Sequence, residues 1–583
     1  MSPYTGTTTL VVGIDFGTTY SGVSWLICKT GFPLGQPEIV SLWQTSIDNR
    51  QKNPESKKVP SKMHYDRNGK ISWGFKIPAS AETIEWFKLL LLNKADLQKY
   101  LRDSSHLHNA EKALLKLGKT PVQLVGDYLK VLWDYVLEQI GNAQGQTIID
   151  GMPFRVILTV PAIWTDYARD RMREAAKIAG ILKHRVVGET TLSFVSEPEA
   201  AAIATMPELE GRADLQVDDS FVVVDAGGGT VDIISYKINK LQPLMVSECV
   251  EGEAALCGGT FLDKEFEAIL KNAVGNVAWN KMNRSDIRRM MNNEWEHGIK
   301  IAFNGEPDYY MVELPNRAQR GPLQFTSEAL EPIFDKIVSQ VGALAEKQIR
   351  AVKAKTSKLP KLVILVGGFG RSPYILKYMK GKLDSRIVVL QSQGDKPWTA
   401  ICRGAVLFGA RSTSVSGNQL PQVQSRIARL NYGWGYHCSF QEGVHDQEDK
   451  YWDHTIRQWR AKDQVEWVIK RGEDISLKEP KTYDYFIFWD VNERGRGIGG
   501  GDFFACADLN PPSRVQGSVH TIARFTYQSP MPREQYRMVT ANGTCYREWN
   551  FKFKVTVSGA SFEVTAISDG QEQKLERVHI YSN

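Results

Sequence analysis

The chain has 583 residues, of which 42% are hydrophobic, 24% charged and 10% aromatic. This is the composition of an ordinary globular protein, and it excludes a disordered, collagenous or coiled-coil chain. The 72 Lys and Arg residues exceed the 66 Asp and Glu residues by only six charges. Because this small excess is spread over a large surface, it favours neither nucleic acid nor a membrane as a partner.

The cysteines and the amino terminus indicate an intracellular protein. The seven cysteines are an odd number and contain no Cys-x-x-Cys pair, which predicts reduced thiols and no zinc site. Residues 1–10 lack the basic and apolar segments of a secretory signal. No apolar run approaches the ~18 residues of a membrane-spanning helix. We therefore expect a cytoplasmic location, with the nucleus as the alternative.

The pattern of apolar residues predicts two domains of different class. Residues 1–410 alternate strand-like runs with long helical patterns, which is typical of an α/β domain. Residues 411–425 consist mainly of Ser, Thr, Gln, Gly and Pro, with only scattered Val and Leu, and are predicted to be a linker. Residues 426–583 contain short period-two runs separated by turns, which predicts an all-β domain. Within it, the glycine-rich run 494–501 predicts a mobile turn. Residues 93–120 predict a helical insertion, to which we assign no function.

One local arrangement occurs twice in the α/β domain. An apolar strand ends at an aspartate, Asp15 or Asp225, and a Gly/Thr turn then leads into a second strand. Strands follow both turns, whereas Rossmann and P-loop sites require a helix there, so both of those sites are disfavoured. The turn residues are Gly17, Thr18 and Thr19 in the first hairpin and Gly227, Gly228, Gly229 and Thr230 in the second.

Two such hairpins, facing each other, would suit a polyphosphate. Glycines let backbone N–H groups approach phosphate oxygens, and threonine hydroxyls add donors. An acid beside a triphosphate is repulsive unless a hard cation such as Mg²⁺ lies between them, so Asp15 and Asp225 predict a magnesium–nucleotide complex. Either hairpin taken alone could equally be a plain glycine-rich turn. Their repetition favours the ligand-binding interpretation.

A third glycine turn follows the apolar run 361–366. Gly367 and Gly368 precede Arg371, and Pro373 then begins a helical pattern with Ser372 before it as a predicted N-cap. Glycines here would let a flat group such as adenine lie against the backbone, with Arg371 stacked over it. The alternative is a structural turn between a strand and a helix.

Six motifs in the same order resemble those of the seventy-kilodalton heat-shock chaperones, which belong to the actin-like ATPase superfamily. The resemblance covers residues 10–410 and implies a two-lobed fold with the nucleotide between the lobes. The motifs are Gly13–Ser21, Thr159–Ala162, Ser196–Ala204, Val224–Asp232, Cys257–Gly259 and Leu365–Arg371.

The resemblance also implies roles for individual residues. Asp15, Asp225 and Asp232 would surround Mg²⁺, largely through water, together with a monovalent cation such as K⁺. Glu197 would contact the metal waters or the attacking water, and Thr230 would orient that water. From the sequence alone, Glu197 could also be a capping or surface acid. The residues implied to hold ATP or ADP are Gly17, Thr18, Thr19, Gly227, Gly228, Gly229, Gly258, Gly259, Glu296, Lys300, Gly367, Gly368, Phe369 and Arg371.

The sequence departs from the family pattern at three places. The family's phosphate-facing lysine is matched only by Lys88, which could also be an ordinary lysine on an amphipathic helix. Ile301 stands where the family has an arginine that stacks on the base, and Trp398 stands where an acid is usual. These departures indicate a divergent branch and place the base specificity in doubt.

The all-β domain resembles, more faintly, the peptide-binding β-sandwich of the same chaperones. The resemblance implies extended apolar peptides or unfolded client proteins as partners, held by main-chain hydrogen bonds and apolar pockets. The alternative is a solubilising domain without a ligand. The last strand pattern runs almost to Asn583, so we expect no helical lid after it.

The sequence thus predicts a chaperone-like protein that binds ATP with Mg²⁺ and hydrolyses it slowly. One alternative is a nucleotide-binding scaffold with negligible turnover. Another is a small-molecule kinase of the same superfamily, for which the sequence shows neither a catalytic aspartate nor a substrate pocket.

Overall fold

A computed structural model describes residues 8–578, apart from 46–54, 79, 98–101, 103, 163, 165, 316–317, 319–320, 412–419, 477–479, 542 and 559–560. The chain divides into two compact units, residues 1–423 and 424–583. Most of the predicted linker, residues 412–419, lies outside the described residues. Among the helices of the described part, none is long and apolar enough to cross a membrane.

The first unit contains two large mixed sheets with the same connections. In the first sheet the order is β3-β2-β1-β7-β8, with β4 on the edge of β2. β1 pairs antiparallel with β2 and parallel with β7, which pairs parallel with β8. The strands of this sheet and of a small hairpin beside it are β1 Thr8–Phe16, β2 Tyr20–Lys29, β3 Glu38–Ile39, β4 Val59–Pro60, β5 Met63–Tyr65, β6 Ile71–Trp73, β7 Phe154–Val160 and β8 Thr191–Ser196.

The second sheet repeats this plan. Within the first unit its order is β16-β15-β9-β10-β11, with β12 on β10. β9 pairs antiparallel with β10 and parallel with β15, which pairs parallel with β16. The strands, with a second small hairpin, are β9 Ser220–Ala226, β10 Val231–Leu241, β11 Leu244–Glu248, β12 Glu253–Ala255, β13 Tyr309–Val312, β14 Leu323–Thr326, β15 Leu362–Val366 and β16 Val388–Gln391.

Helices cover these sheets, which explains why the central strands are almost continuously apolar. All seven residues of β9 are buried. A π-helix, Met291–Ile299, and short 3₁₀ helices, Gly74–Lys76, Phe87–Leu91 and Lys94–Asp96, supplement the α-helices. The α-helices are α1 Ser105–Leu117, α2 Pro121–Gln144, α3 Gln146–Asp150, α4 Asp166–Ile178, α5 Glu197–Leu209, α6 Thr260–Val274, α7 Asn276–Lys281, α8 Arg284–Met290, α9 Lys300–Ala302, α10 Ser327–Thr356, α11 Pro373–Lys382 and α12 Lys396–Ala410.

A glycine allows helices α5 and α12 to pack closely together. A Cβ at Gly404 of α12 would lie 1.7 Å from the carbonyl oxygen of Ala200 in α5, so no larger residue fits there. Buried alanines on α5 complete the same contact. Because α5 begins at Glu197, this packing fixes the position of that carboxylate relative to the sheets.

The second unit contains two antiparallel sheets, which confirms the predicted all-β class. Their orders are β19-β20-β18-β23-β24-β29 and β22-β26-β27-β28, with β25 on β26. Their inner faces share one aromatic core, in which Trp434 stacks on Phe553 at 4.1 Å between ring centroids. β17 Gln422–Ile427 and β21 Asp474–Ser476 pair antiparallel with each other and are not part of these two orders. The strands of the two sheets are β18 Asn431–Ser439, β19 Lys450–Asp453, β20 Gln458–Ile469, β22 Lys481–Asp490, β23 Arg496–Cys506, β24 Val519–Pro532, β25 Arg537–Ala541, β26 Thr544–Ser558, β27 Ser561–Ser568, β28 Gln571–Lys574 and β29 Glu576–Val578.

The predicted turn at 494–501 is wrong for most of its length, because residues from Arg496 onward belong to β23. Neighbouring aromatic rings explain these glycines. A Cβ at Gly497 would lie 2.1 Å from the ring of Trp489, and one at Gly499 would lie 2.3 Å from the ring of Tyr527. The glycines therefore make room for the core.

Candidate functional site

The two predicted hairpins are present, and their turns touch. A Cβ at Gly228 would lie 2.1 Å from the hydroxyl oxygen of Thr19, and one at Gly229 would lie 3.6 Å from Thr18. The turn that follows β9 is closed by a hydrogen bond from the Gly227 amide to the Thr230 carbonyl, 2.9 Å long. Glycine is thus required where one turn meets the other.

Two further glycine motifs pack behind the second turn. The amides of Gly258 and Gly259 donate to the carbonyl oxygens of Gly229 and Gly227, at 3.3 and 3.1 Å. The Phe369 amide donates to the Ala226 carbonyl at 2.9 Å. These bonds hold the turn in place from the side away from the first hairpin.

One cavity of about 710 Å³ lies in the first unit, and the predicted residues converge on it. Every residue predicted to be catalytic, metal-binding or nucleotide-binding lines this cavity except Gly258. A Cβ at Gly258 would lie 2.4 Å from the Gly228 carbonyl oxygen, so this glycine supports the turn from behind.

Four buried carboxylates lie in the cavity. Asp15 is the penultimate residue of β1 and lies opposite Gly22 of β2, whereas Asp225 of β9 lies directly opposite Asp232 of β10. Glu197 is the first residue of α5 and is 6% exposed. Its helix is capped by the Ser196 hydroxyl, which accepts from the Glu199 amide.

Burial and the charges of neighbouring acids raise the pKa values of three of these carboxyl groups, Asp225, Asp232 and Glu197. Burial, and then the charges of Asp232, Glu197 and Asp15, raise the pKa of Asp225 well above its ordinary value. Burial, and then the charge of Glu197, raise the pKa of Asp232 to about 7. Burial also raises the pKa of Glu197, against the attraction of Lys88.

Lys88 pairs with one of these acids. It lies on the 3₁₀ helix Phe87–Leu91, is 2% exposed and donates to Glu197 Oε1 at 2.6 Å. Its ammonium also lies 5.7 Å from the ring centroid of Phe16 and 5.4 Å from that of Trp164. Lys88 is therefore a buried member of the site, and the alternative of an ordinary surface lysine does not hold.

A second lysine, which the sequence reasoning missed, pairs with Asp15. Lys58 is 5% exposed, and its Nζ donates to Asp15 Oδ2 at 2.5 Å. Burial acts to lower the pKa of Lys58, but the charge and hydrogen bond of Asp15, with smaller contributions from Cys402 and Asp225, raise it overall. The neighbouring sequence, Ser-Lys-Lys-Val-Pro-Ser-Lys, looks like exposed chain and gave no signal of this pair.

The fit to Mg²⁺ differs between the two hairpins. The buried Oδ1 of Asp225 has no hydrogen-bond partner among the described residues, and no lysine or arginine of that part of the chain forms an ion pair with Asp225 or Asp232. These two carboxylates fit a hard cation. Asp15 was predicted as a third carboxylate for the metal, but its Oδ2 is already neutralised by Lys58. The structure therefore assigns Oδ2 of Asp15 to an ion pair with Lys58, whereas the sequence predicted this carboxylate as part of the metal shell.

Side chains placed to coordinate one metal ion directly would have to converge on one position. Among the described residues, no three His, Cys, Asp or Glu side chains converge on one metal position.

Aromatic and charged residues surround another part of the cavity. The Arg371 guanidinium lies 4.4 Å from the ring centroid of Trp398, and the Tyr20 ring meets Trp398 edge-on at 5.8 Å. A Cβ at Gly368 would lie 3.2 Å from the same indole. The predicted stacking partner of Arg371 was a base, whereas in this structure it is Trp398. Ser372 directly precedes α11 at the predicted N-cap position, but its side chain makes no capping hydrogen bond, and its buried hydroxyl has no partner among the described residues.

Glu296 and Lys300 are joined by an acid that the sequence reasoning missed. Lys300 donates to Glu296 Oε2 and to Asp263 Oδ1, both at 2.7 Å. The Trp295 indole also donates to Asp263, at 2.7 Å. Asp263 therefore fixes the position of the Lys300 ammonium. The sequence signal for this role was that Asp263 lies on α6, one helical turn after the motif glycine Gly259.

The chain is similar in sequence to several known proteins. The family described as Hsp70 protein matches residues 135–410. Heat shock 70 kDa protein 12B of Homo sapiens is 23% identical over 83% of this chain and 79% of its own length. Heat shock 70 kDa protein 12A of Mus musculus is 24% identical over 75% of this chain and 74% of its own length. Residues 135–410, just under half of the chain, therefore resemble the Hsp70 family, and both relatives that match over most of the chain are named as heat shock 70 kDa proteins.

Other Hsp70-family relatives match over a shorter part. Chaperone protein DnaK of Thermoplasma volcanium is 27% identical over 44% of this chain and 39% of its own length. The Chaperone protein HscA homolog of Aromatoleum aromaticum is 25% identical over 63% of this chain and 53% of its own length. The chain thus spans about half or less of these two relatives, but about three quarters of the two mammalian ones. The predicted α/β and all-β fold classes are confirmed.

Proposed function

We propose that this Hsp70-like chain binds ATP as its magnesium complex between the two hairpins and hydrolyses it slowly. The observation that carries the proposal is the contact of two Gly/Thr turns from duplicated sheets, with buried acids and lysines beside them. The turns would supply amide and hydroxyl donors to the phosphates. Mg²⁺, when bound, would neutralise part of the triphosphate charge, and Asp225 and Asp232 would hold it through its water ligands.

The chain's own residues would position the attacking water. Transfer of a phosphoryl group to water depends mainly on orientation and charge neutralisation. The Thr230 hydroxyl and the Glu197 carboxylate line the same cavity and would orient the water. Lys88, held by Glu197, would offset negative charge on the transferred phosphoryl group. ADP and inorganic phosphate would be the products.

Release of phosphate from Mg–ATP tests this proposal. We expect Thr230→Ala and Glu197→Gln to lower kcat about tenfold or more, with Kd for ATP changed by less than about threefold. Glu208→Gln is the matched control, because Glu208 is exposed near the other end of α5. ATP binding without phosphate release would favour the scaffold, and ADP formation that requires an added sugar would favour the kinase.

For the second unit we propose binding of extended apolar peptides, as the chaperone interpretation requires. The supporting observation is strand β22, which pairs only with β26 in the described sheet and carries Phe486, 58% exposed. Phe486 packs beside Phe488 at 5.0 Å between ring centroids. An edge strand with exposed aromatic rings suits strand addition by a peptide.

Fluorescence anisotropy of a labelled apolar peptide with the full chain tests this second proposal. We expect Phe486→Asp to weaken binding about tenfold and Trp452→Asp, an exposed aromatic residue on β19, to leave it unchanged. Equal affinity in all three proteins would contradict binding at β22.

A further inference from the structure

The ion pair between Lys58 and Asp15 is built deeply into the first sheet. Lys58 directly precedes β4, which pairs with β2 through Val59–Ser21 and Pro60–Tyr20. Both members are almost fully buried, at 5% and 2% exposure. This pairing carries the lysine across the hairpin whose first strand has Asp15 as its penultimate residue.

The neighbouring strand makes room for the lysine side chain. Gly22 lies opposite Asp15 in the register of β1 and β2. A Cβ at Gly22 would lie 3.0 to 3.3 Å from three carbons of the Lys58 side chain. The absence of a side chain at this one strand position lets the methylene groups pass over the hairpin and reach the carboxylate.

The charges of the cavity are balanced unevenly. Of its four buried carboxylates, Glu197 is paired with Lys88 and Asp15 with Lys58. Asp225 and Asp232 have no cationic partner among the described residues. The first hairpin therefore carries its own cation, whereas the second needs one from solution.

A buried ion pair seldom stabilises a fold more than apolar residues of the same size would. Stability alone is thus a poor reason for Lys58. A reason connected with the ligand is stronger, because the pair lines the cavity beside the turn residues Gly17, Thr18 and Thr19. An ammonium at this position would reduce the repulsion between Asp15 and a triphosphate.

We propose that the Lys58 ammonium replaces a dissolved monovalent cation at Asp15, so that this chain binds nucleotide without K⁺ at that carboxylate. The proposal deepens the proposed function and rests on it. A K⁺ ion and the ammonium would compete for the same oxygen, Asp15 Oδ2, and the ammonium is attached to the chain. It is therefore present at every salt concentration, whereas a dissolved ion is lost on dilution.

The test compares two chloride salts at the same ionic strength, about 0.15 M, one of K⁺ and one of the bulky N-methylglucammonium ion. Isothermal titration measures Kd for Mg–ATP with the full chain. For the unchanged protein, Kd should differ less than about twofold between the salts. Lys58→Met keeps most of the length of the side chain and removes its charge, so the Kd of this variant should be about tenfold weaker without K⁺ than with it.

Two further variants locate the effect. In the double variant Asp15→Asn with Lys58→Met, no carboxylate remains to attract K⁺, so the difference between the salts should disappear. Lys57→Met, at the half-exposed neighbouring lysine, is the matched control and should behave like the unchanged protein. The comparison of salts in the unchanged protein decides the question even where Lys58→Met fails to fold.

A loss of about tenfold in affinity when K⁺ is removed from the unchanged protein would overturn the proposal. The melting temperature without nucleotide separates this failure from failure of the proposed function. It should be independent of K⁺ in the unchanged protein and should rise with K⁺ in Lys58→Met. If ATP binds in neither salt, the proposed function is wrong, and the nucleotide-free melting temperatures still show which cation occupies Asp15.

Discussion

The two hairpins of the first unit share one backbone plan and differ in how their charges are satisfied. In each, the penultimate residue of a strand is an aspartate, a Gly/Thr turn follows the strand, and a parallel strand lies on the other side. Asp15 faces a glycine and is paired with Lys58. Asp225 faces Asp232 and has no cationic partner in the described chain.

This difference shows that duplicated backbone does not imply duplicated chemistry. In the first hairpin the charge of Asp15 is already neutralised by Lys58 before any ligand binds, because the two side chains are buried together as an ion pair. The second concentrates two like charges that burial makes costly. We expect such a site to take a divalent cation at the second hairpin and to rely on the Lys58 side chain at the first.

Removal of each aspartate's charge should have opposite effects on stability. Asp15→Asn leaves Lys58 buried without its partner, so we expect the first unit to lose about 3 kcal/mol or more of unfolding free energy. Asp225→Asn removes a repulsive charge, so the nucleotide-free protein should melt at the same or a higher temperature. Thermal unfolding followed by circular dichroism measures both. Equal destabilisation by the two changes would show that the hairpins are electrostatically alike.

The contact between the turns can be broken sterically. The Cβ of Gly228→Val would collide with the Thr19 hydroxyl, so the turns must separate, and we expect Kd for Mg–ATP to rise about 100-fold or more. Gly381→Val is the control, because a Cβ at Gly381 of α11 meets no other atom. Titration calorimetry measures both. Unchanged affinity in Gly228→Val would mean that the turns do not hold the ligand together.

The raised pKa values of Asp225, Asp232 and Glu197 predict that the stability of the nucleotide-free protein depends on pH. Their protonated forms are favoured in the folded state, so the stability they contribute is present at low pH and is lost as pH rises toward about 7. Without nucleotide, the protein should melt a few degrees higher at about pH 5.5 than at about pH 7.5. Asp232→Asn should reduce this difference, and an unchanged difference would refute the assignment of Asp232.

The smallest predicted effect concerns Trp398. Because its indole lies under Arg371, removing the ring should loosen the arginine, and we expect Trp398→Ala to weaken ATP binding about fivefold. Trp398→Phe should keep most of the affinity. Trp452→Ala, in the second unit, is the control. If Trp398→Ala binds ATP more tightly, the ring blocks the base instead of supporting its site.

The local sequence predicted the two hairpins and their turns, but it did not predict which charged residues pair with each other in the site. Glycine spacing revealed both turns, because close backbone approach requires glycine at fixed positions. Lys58 was missed because its partner lies 43 residues away and only the pairing of β4 with β2 brings them together. Asp263 was missed for the same reason, since Lys300 is 37 residues further along.

The second unit gives a related lesson about glycine. A run of glycines usually indicates a turn, and residues 494–501 were interpreted in that way. In the structure Gly497 and Gly499 lie in a strand and leave space for two aromatic rings from other strands. Sequence spacing alone does not distinguish a glycine needed for its backbone from one needed for its missing side chain.

The most direct test of the account is the affinity for ATP with Mg²⁺ and with excess EDTA, measured by titration calorimetry on the unchanged protein and on Asp225→Asn. We expect the unchanged protein to bind Mg–ATP at least about tenfold more tightly than metal-free ATP, because the second hairpin supplies no cation of its own. Asp225→Asn should lose most of that preference. Equal affinity of the unchanged protein for ATP with and without Mg²⁺ would contradict the assignment of Asp225 and Asp232 to the metal.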